Sequence, residues 1–370
     1  MTKRVPTAGG LRRRQFLQRA GLGAAAIALP TVLTPRKAGA AVKLTVRDPG
    51  GPYVQAYAEA YYKPFNKKFA GKIEVTGVIG EHEPTSQIKA MIDTGTYTWD
   101  VALLSLAAHN LLRDAGYLEK LGNSDHPDVQ EIPEQFKTEH IQGVDVYATV
   151  LAYRNDVYPS KARPPDQGWA DLWNVAGIPG RRALRKHPFD TIEEALIADG
   201  VPAGKEYDWL REHGYDRAFA SLDKIKPRID IWWTGGAQTS QLLSTGEVDI
   251  CPTWNGRAQA AIDGGAPVTI SWNEGIHGYE GWGILKGTPR VEAAREFVTF
   301  CANAENQARQ APYIAYGPVN PKAYNYIDPK RAKVLSTNPA FLPLMHPIDM
   351  DFWGTEKDKA FELFNAWLLG

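Results

Sequence analysis

Apolar and polar positions along residues 42–115 alternate in the order strand, helix, strand. Val42–Val46 has a period of two, apolar and aromatic residues recur at helical spacing from about Tyr53 to Phe69, and a second strand pattern follows at Lys72–Val78. The alternation continues with a helix at 85–94, a strand at 100–104 and a helix at 106–115. Strands that alternate with helices predict a mostly parallel sheet that is covered by helices.

A second α/β series follows the Pro-rich stretch Pro159–Pro165, which itself comes after a long apolar strand at Val144–Tyr153. We predict strands in this series at 183–184, 248–250 and 268–270, and helices from 191 and at 208–225, 237–244, 258–262, 290–303 and 357–369. The chain has 370 residues, of which 44% are hydrophobic, so it is long enough for two domains with separate cores. We therefore expect two α/β lobes.

Charge is distributed unevenly along the chain. Residues 1–40 hold eight of the 42 basic residues and no acidic residue, so the rest of the chain has 34 basic and 42 acidic residues, a net charge of −8. A net negative body argues against a nucleic-acid partner and favours cationic ligands.

The N-terminal 40 residues have the composition of an export signal. The basic segment around Arg13-Arg14 is followed by a small, apolar stretch and then by Ala38-Gly39-Ala40, which is typical of a cleavage region. The run Arg13–Leu17 also resembles a twin-arginine signal. We predict export to the periplasm with cleavage near Ala40; the alternative, a membrane anchor, has an apolar core shorter than the roughly 20 residues that span a bilayer.

Cys251 and Cys301 are the two cysteines of the chain. The periplasm would permit a disulfide, but Cys251 falls in a predicted core strand and Cys301 at the end of a predicted helix. We favour two buried free thiols over a disulfide.

Three segments, taken in order, resemble those of ABC-transporter substrate-binding proteins of the polyamine (spermidine/putrescine) type. They are Trp169-Ala170-Asp171-Leu172-Trp173, Ser244–Ile250 leading into Trp254-Asn255-Gly256, and Tyr316-Gly317-Pro318-Val319-Asn320-Pro321. The resemblance covers residues 41–370.

This resemblance implies the two-lobed, type II periplasmic binding protein fold, in which each lobe has a mixed, mostly parallel sheet flanked by helices and a hinge joins the lobes. We predict a first lobe from 41–153 plus 279–325 and a second lobe from 154–278 plus 326–370. It further implies a monomer whose two lobes close on a small organic cation, polyamine-like or a related amine, and which delivers this ligand to a membrane permease. No catalytic activity, cofactor or metal is expected.

Trp254 is a candidate for a ligand contact, beside Asp190, which is the leading candidate for holding a cationic nitrogen of the ligand. It follows the strand-like run 248–252 and precedes a helix, and ligands of open α/β sheets bind beyond the carboxyl ends of the strands. An indole there offers a flat apolar wall to a methylene chain and a π face to a cation. The alternative is a tryptophan that packs under the turn.

Asp190 and His187 stand at two positions where the polyamine-binding relatives have acidic residues. Asp190 matches an acid that grips a ligand amine, although Asp190-Thr191-Ile192-Glu193 also has the form of a capping box. His187 stands where the family has another acid, and an imidazole is a poor clamp for an ammonium group.

Tyr53 and Ser105 match an aromatic residue and a hydroxyl of the first lobe that face the ligand. The alternatives are a packing residue at a helix start and a helix N-cap.

The segment Gly278–Trp282 departs from the family pattern. Tyr279 fits the family's aromatic residue, but Gly281 stands in the place of its second acid, and Glu280 is one position away. This departure puts a linear polyamine in doubt and allows a ligand with one cationic end, such as an amino-acid-like or opine-like compound. A phosphonate or a ferric ion is a further alternative.

Tyr316 and Trp233 complete the predicted site. Tyr316 retains the family's aromatic residue ahead of the C-terminal segment. Trp232, Trp233 and Gln238 flank Gly235-Gly236 at a helix start, where backbone N–H groups could receive a carboxylate, although core packing of the tryptophans is the alternative.

An exported hydrolase is the alternative from another functional class. The segment Glu81-His82-Glu83 could be mistaken for a metal site, but adjacent residues of a turn rarely converge on one ion, and the chain has no HExxH or GxSxG motif. Tyr61-Tyr62 resembles the paired tyrosines of ferric-ion-binding relatives, but the pair falls within a predicted helix, which favours packing.

Overall fold

A computed structural model describes residues 40–80, 84–158 and 167–370 of the protein. The strands of this part are β1 (Val42–Asp48), β2 (Ile73–Ile79), β3 (Val101–Ser105), β4 (Gln142–Arg154), β5 (Ala183–Arg185), β6 (Ile231–Trp233), β7 (Ile250–Trp254), β8 (Val268–Ile284), β9 (Gly317–Pro318) and β10 (His346–Pro347).

The α-helices of the same part are α1 (Pro52–Tyr57), α2 (Lys63–Lys68), α3 (Thr85–Thr94), α4 (Leu106–Asp114), α5 (Pro127–Gln130), α6 (Ala170–Trp173), α7 (Pro188–Ala198), α8 (Glu206–His213), α9 (Asp216–Ile225), α10 (Gly236–Thr245), α11 (Asn255–Asp263), α12 (Val291–Cys301), α13 (Ala304–Ala308), α14 (Pro329–Ala332) and α15 (Met350–Leu369). A π-helical turn, Ala58–Tyr62, joins α1 to α2, so the predicted helix from Tyr53 is continuous. Short 3-10 turns lie at Glu134–Phe136, Lys226–Arg228, Pro321–Asn325 and Leu342–Leu344.

The main sheet is mixed and has the order β2-β1-β3-β8-β4-β7, with β10 on β8 and β9 on β4. Strand β1 is parallel to β2 and β3, whereas β8 is antiparallel to β3 and β4, and β4 is antiparallel to β7. Strands β5 and β6 form a separate parallel pair. The parallel pairs of β1 come from the β-α-β pattern of the sequence, whereas every antiparallel pair of the described sheet includes β4 or β8.

Strand β8 is much longer than the predicted strand at 268–270. Its glycines look like turn signals in the sequence, but they allow close contact with β4. A Cβ atom at Gly278 would lie 2.6 Å from Tyr147 Oη, and one at Gly281 would lie 2.6 Å from the carbonyl oxygen of Gln142. Glycine in this strand therefore marks close packing.

Buried apolar side chains gather around two groups of elements. We call the elements packed around β1, β2 and β3 the first lobe, and those packed around β5, β6 and β7 the second lobe. The first lobe has fully buried residues such as Val46 and Phe297, and the second has Trp169 and Leu196. Strands β4 and β8 contribute to both lobes. The residue bounds predicted for the lobes, such as 153/154, stay a prediction.

Two local predictions are confirmed by burial. Cys251 and Cys301 are both buried free thiols. Tyr61 and Tyr62 lie on the packed face of the helical segment, with relative exposures of 0% and 7%.

Candidate functional site

A cavity of about 290 Å³ lies beyond the carboxyl ends of β1, β3, β5 and β7. Each of these four strands ends within the cavity lining or next to it, as expected for a ligand site in an α/β fold. The lining consists of Pro49, Gly50, Gly51, Tyr53, Ser105, Ala107, Tyr147, Arg185, His187, Phe189, Asp190, Trp254, Arg257, Glu280, Tyr316, Ile348, Met350, Lys357 and Phe361. Both lobes therefore contribute to one cavity.

Six of the eight predicted site residues line this cavity. They are Tyr53, Ser105, Asp190, Trp254, Glu280 and Tyr316. Their contacts with a ligand stay a prediction, but the fold brings them together from segments more than 200 residues apart.

Glu280 lies on β8 and is only 3% exposed. The hydroxyl of Tyr53, near the start of α1, donates a hydrogen bond of 2.5 Å to Glu280 Oε2. Burial, and then the nearby charge of Glu280, raise the pKa of Tyr53 well above its usual value, so the phenol keeps its proton. Glu280 therefore accepts a hydrogen bond from a neutral phenol, and this acidic residue is part of the cavity lining.

Asp190 has a cationic partner. Its Oδ2 atom accepts a hydrogen bond of 2.6 Å from Arg185 Nη1, and the two side chains are 6% and 15% exposed. The backbone φ of Asp190 is 68°, which is uncommon for a residue other than glycine and places the carboxylate at a bend ahead of the regular part of α7. Among the described residues, Glu193 Oε1 accepts from Tyr207 Oη and Trp353 Nε1 rather than from the backbone N–H of Asp190, so the capping-box interpretation does not describe this turn.

Trp254 ends β7 and is half-buried. The guanidinium carbon of Arg185 lies 5.1 Å from the centre of its ring, within the range of a cation–π contact. A protein cation therefore already lies against this indole, and the exposed part of the ring forms an apolar wall of the cavity.

The Asn255-Gly256 junction after Trp254 holds the cavity wall in place. Asn255 Oδ1 accepts from the backbone N–H of Ala148 at 3.0 Å, and Asn255 Nδ2 donates to the carbonyl oxygen of Ala315 at 2.7 Å. A Cβ atom at Gly256 would lie 2.7 Å from the Tyr316 ring. The buried amide and the small glycine let α11 approach the segment that carries Tyr316.

Arg257, in the first turn of α11, is a cavity residue that the sequence analysis missed. Among the described residues, its Nε atom is buried and has no hydrogen-bond partner. Its positive charge lowers the pKa of Tyr316, although burial raises that pKa more strongly. A guanidinium nitrogen that has no partner among the described residues can donate to a carboxylate. Its position three residues after Trp254, at a helix start beyond a strand end, was the signal available in the sequence.

His187 lines the cavity as an uncharged ring. Burial, followed by the positive charges of Arg185 and Lys357, lowers the pKa of His187 to about 3. Its ring makes edge contacts with Phe189 and Phe361 at 4.9 and 4.7 Å between centres. An uncharged imidazole offers no counter-charge to an ammonium group, and the role of this position in ligand binding stays a prediction.

Ser105 and Tyr316 have structural contacts as well as cavity positions. Ser105 is the N-cap of α4 and accepts from the backbone N–H of Ala108 at 3.3 Å. Tyr316 is 6% exposed, and the centre of its ring lies 6.2 Å from the ring centres of Tyr53 and Tyr147. The N-cap alternative for Ser105 is thus correct, and it does not conflict with a place in the cavity lining.

The other two predicted site residues lie outside the lining. Tyr279 neighbours Glu280 on β8, so its side chain points to the opposite face of the sheet, where its ring meets Phe136 at 5.6 Å. Trp233 is fully buried behind Trp254, with the ring centres 6.0 Å apart. Core packing, the alternative stated for the tryptophan pair, describes Trp233.

The described residues contain no cluster of three or more His, Cys, Asp or Glu side chains that could hold a metal ion. The triplet Glu81-His82-Glu83 lies outside these residues. In the same part of the chain, no helix has the length and apolar character needed to cross a membrane.

The chain is similar to several known proteins. Residues 60–342 match the family model described as bacterial extracellular solute-binding protein. A γ-aminobutyric acid-binding protein of Pseudomonas aeruginosa is 36% identical over 329 residues, which are 88% of this chain and 90% of that protein.

Solved structures with the same fold include an ABC transporter substrate-binding protein of Bradyrhizobium japonicum, at 34% identity and a TM-score of 0.79, covering 88% of this chain and 99% of that one. Another is a GABA receptor, which is 32% identical and has a TM-score of 0.76. The match covers 88% of this chain and 97% of that one.

These similarities confirm the predicted fold class and the predicted class of function. The mixed α/β architecture matches two-lobed type II periplasmic binding proteins, and the family consists of binding proteins rather than enzymes. Its extracellular character assigns the protein to the periplasm, with a small-molecule ligand and an ABC permease as partners. The chain belongs to the bacterial extracellular solute-binding proteins, as the solute-binding component of an ABC importer.

Proposed function

We propose that this protein captures a small amino-acid-like zwitterion, with γ-aminobutyrate as the leading ligand, and delivers it to its permease. The observation that carries the proposal is that Glu280 and Arg257 line the same cavity from different elements. An acid and a cation in one cavity of about 290 Å³ match a ligand with an ammonium group at one end and a carboxylate at the other.

The remaining charges of the lining support this assignment. Asp190 and Arg185 form an ion pair and compensate each other. His187 is neutral, and Lys357 lies on the exposed surface of α15 at the cavity. A linear polyamine would need a second acid, and the second acid of the lining already has Arg185 as its partner.

The apolar side chains of the lining suit a short methylene chain. Trp254, Tyr316, Phe189 and Phe361 contribute aromatic walls, and Ile348 closes another side. Burying a methylene group contributes about 0.8 kcal/mol, so these walls add affinity without selecting a charged end.

The names of two relatives support the same ligand class. The P. aeruginosa relative is named for γ-aminobutyric acid, and so is one solved structure. A larger amino-acid-like compound such as an opine would use the same two charged residues and reach Lys357. We assign Tyr53, Ser105, Asp190, Trp254, Glu280 and Tyr316 to the ligand site, together with Arg257.

Calorimetric titration of the mature protein tests the proposal with ligands that differ at one end. γ-Aminobutyrate should bind, whereas butyrate and butylamine, which each lack one charged end, should bind at least tenfold more weakly. Arg257→Gln should weaken γ-aminobutyrate binding by roughly 1.5–3 kcal/mol and leave butylamine binding unchanged. Tighter binding of putrescine than of γ-aminobutyrate would overturn the proposal in favour of a polyamine.

We also propose that the precursor is exported through the twin-arginine route, cleaved near Ala40, and works as a monomer. The support is the sequence of residues 12–40. Arg13→Lys together with Arg14→Lys should leave precursor in the cytoplasm, as seen by fractionation. Normal amounts of periplasmic protein from the double variant would rule out this route.

A further inference from the structure

Arg185 occupies a place in the cavity that has the chemistry of a cation site. Its Nη1 atom donates a hydrogen bond of 2.6 Å to Asp190 Oδ2, and its guanidinium carbon lies 5.1 Å from the centre of the Trp254 ring. A carboxylate gives a cation a charge-assisted hydrogen bond, and an indole attracts a cation over its face. All three residues line the cavity, so a side chain of the protein fills a site that suits a ligand amine.

The fold fixes Arg185 in this place. Arg185 is the last residue of β5 and pairs in register with Trp233 of β6, whose ring centre lies 5.6 Å from the guanidinium carbon. The rings of Trp233 and Trp254 meet edge to face, with centres 6.0 Å apart and an angle of 83° between their planes. Two indoles and one carboxylate therefore hold the guanidinium group at the end of β5.

The charge of Arg185 is paired with that of Asp190. Among the described residues, Asp190 is the only acid that forms a salt bridge with Arg185. Glu194 lies one turn after Asp190 in α7 and is fully buried. Burial, and then the charges of Asp190 and Glu193, raise the pKa of Glu194 well above its usual value, which favours its uncharged form. A ligand amine at Asp190 would therefore meet a carboxylate whose charge is already compensated.

The charge of Arg185 also acts on the neighbouring part of the lining. Burial, followed by the positive charges of Arg185 and Lys357, lowers the pKa of His187. A ligand ammonium group carries the same charge as a protonated imidazole, so the two cations that disfavour a proton on His187 also disfavour an amine beside it. This end of the cavity therefore repels amines.

We propose that Arg185 is the specificity-determining residue that excludes diamines, because it occupies the cation site formed by Asp190 and Trp254. The single amine of an accepted ligand then lies beside Glu280, and the methylene chain passes along the open part of the Trp254 ring. A compound with an ammonium group at each end has no second place for its charge. This inference rests on the proposed function, since it explains why a ligand with one amine is preferred to a ligand with two.

Removal of the guanidinium group should open the cation site to a ligand. Putrescine, which has an ammonium group at each end of a short methylene chain, is the probe, and titration calorimetry measures its affinity. Arg185→Ala should bind putrescine at least about tenfold more tightly than the wild-type protein, since Asp190 and Trp254 become available. The ratio of putrescine affinity to γ-aminobutyrate affinity should rise with it. Unchanged putrescine affinity in folded Arg185→Ala would overturn the inference.

Two further variants locate the effect. Arg185→Ala combined with Asp190→Asn should lose the gain in putrescine affinity because the carboxylate is gone, and a gain that persists would contradict the cation site. Arg181→Ala is the matched control, since it removes the same charge from the segment that leads into β5, but Arg181 pairs with Asp249 and lies outside the cavity lining. An equal gain in Arg181→Ala would show that only the net charge matters, and it would overturn the inference.

Two conservative variants keep the test valid if Arg185→Ala does not fold. The amide of Arg185→Gln can still donate to Asp190, but the positive charge is gone, so this variant should keep the fold and gain putrescine affinity, although less than the alanine variant. Arg185→Lys retains the charge and should bind putrescine as weakly as the wild-type protein does. Thermal unfolding without ligand shows which variants are folded. Equal putrescine affinities in Arg185→Gln and Arg185→Lys would contradict the proposed role of Arg185.

The two ligands separate this inference from the proposed function. A gain of putrescine binding in Arg185→Ala, with no γ-aminobutyrate binding by the wild-type protein, would support the role of Arg185 and reject the proposed ligand. Binding of γ-aminobutyrate by the wild-type protein, with no gain in the variant, would reject the role of Arg185 alone. Tight binding of putrescine by the wild-type protein would overturn both.

Discussion

Asp190 and Glu280 are both buried carboxylates of the same cavity, and each accepts a short hydrogen bond from another side chain. The donor to Asp190 is the guanidinium group of Arg185, whereas the donor to Glu280 is the neutral phenol of Tyr53. An ion pair compensates its own charge, whereas the phenol of Tyr53 is neutral and compensates none of the charge of Glu280. We expect the charge of that donor, more than a place in the cavity lining, to decide which of the two acids binds a ligand cation.

Glu280→Gln should have the largest effect on binding. The amide oxygen can still accept from Tyr53, so the unfolding free energy of the empty protein should change by less than about 1 kcal/mol. Affinity for γ-aminobutyrate should fall by about 2–5 kcal/mol, because the ammonium loses its counter-charge. Titration calorimetry and thermal unfolding measure the two effects, and retained affinity would show that Glu280 is not the acid of the amine site.

Asp190→Asn should have the opposite pattern. It leaves Arg185 mostly buried without its counter-charge, so the empty protein should lose about 1–3 kcal/mol of stability, a value reduced for the partial exposure of Arg185. Affinity should fall less than in Glu280→Gln. A large loss of affinity with unchanged stability would show that Asp190, rather than Glu280, binds the ammonium group of the ligand.

Trp254→Ala and Trp233→Ala extend the comparison to two neighbouring tryptophans. Trp254 lines the cavity and is half-buried, so its removal should weaken binding by about 2 kcal/mol and largely preserve the fold. Trp233 is fully buried, so its removal should cost about 3–5 kcal/mol of stability. The melting temperature without ligand, measured beside the affinity, distinguishes them; equal losses of stability would show that Trp254 is a core residue.

His187→Gln should have the smallest effect on binding, within about twofold, because the ring is uncharged. The pKa of His187 is lowered to about 3, compared with about 6.5 in an unfolded chain. This group therefore does not lower the free energy of unfolding above pH 6.5. By pH 5 the imidazole is protonated in the unfolded chain but not in the folded protein, which lowers the free energy of unfolding by about 2 kcal/mol. The free energies of unfolding measured with urea at pH 7 and pH 5 should differ less in His187→Gln than in the wild type. An equal difference in the two proteins would contradict the lowered pKa of His187.

The sequence predicted the site best where a strand pattern ends. Trp254 and Ser105 follow apolar runs that become β7 and β3, and both line the cavity. Glu280 was one position from the expected acid, and only the register of β8 shows that Glu280 faces the cavity while Tyr279 faces Phe136.

Residues from helices were harder to predict. Arg257, Lys357 and Phe361 reach the cavity from α11 and α15, and helical spacing does not tell which turn meets another lobe. The length of β8 was missed for a different reason, since its glycines indicate turns unless the backbone contacts with β4 are known. Long-range packing determines which helix residues reach the cavity and how long β8 is, and no local pattern of the sequence encodes such packing.

The order of strands also has a consequence for biosynthesis. Strand β8 lies between β3 and β4 in the sheet, although it follows them in the chain by more than 110 residues. Until residues 268–284 have left the ribosome, β3 and β4 each present an unpaired inner edge, and such edges promote aggregation. A fragment that ends before Val268 would therefore not form the first lobe, and folding of that lobe has to wait for the last third of the chain.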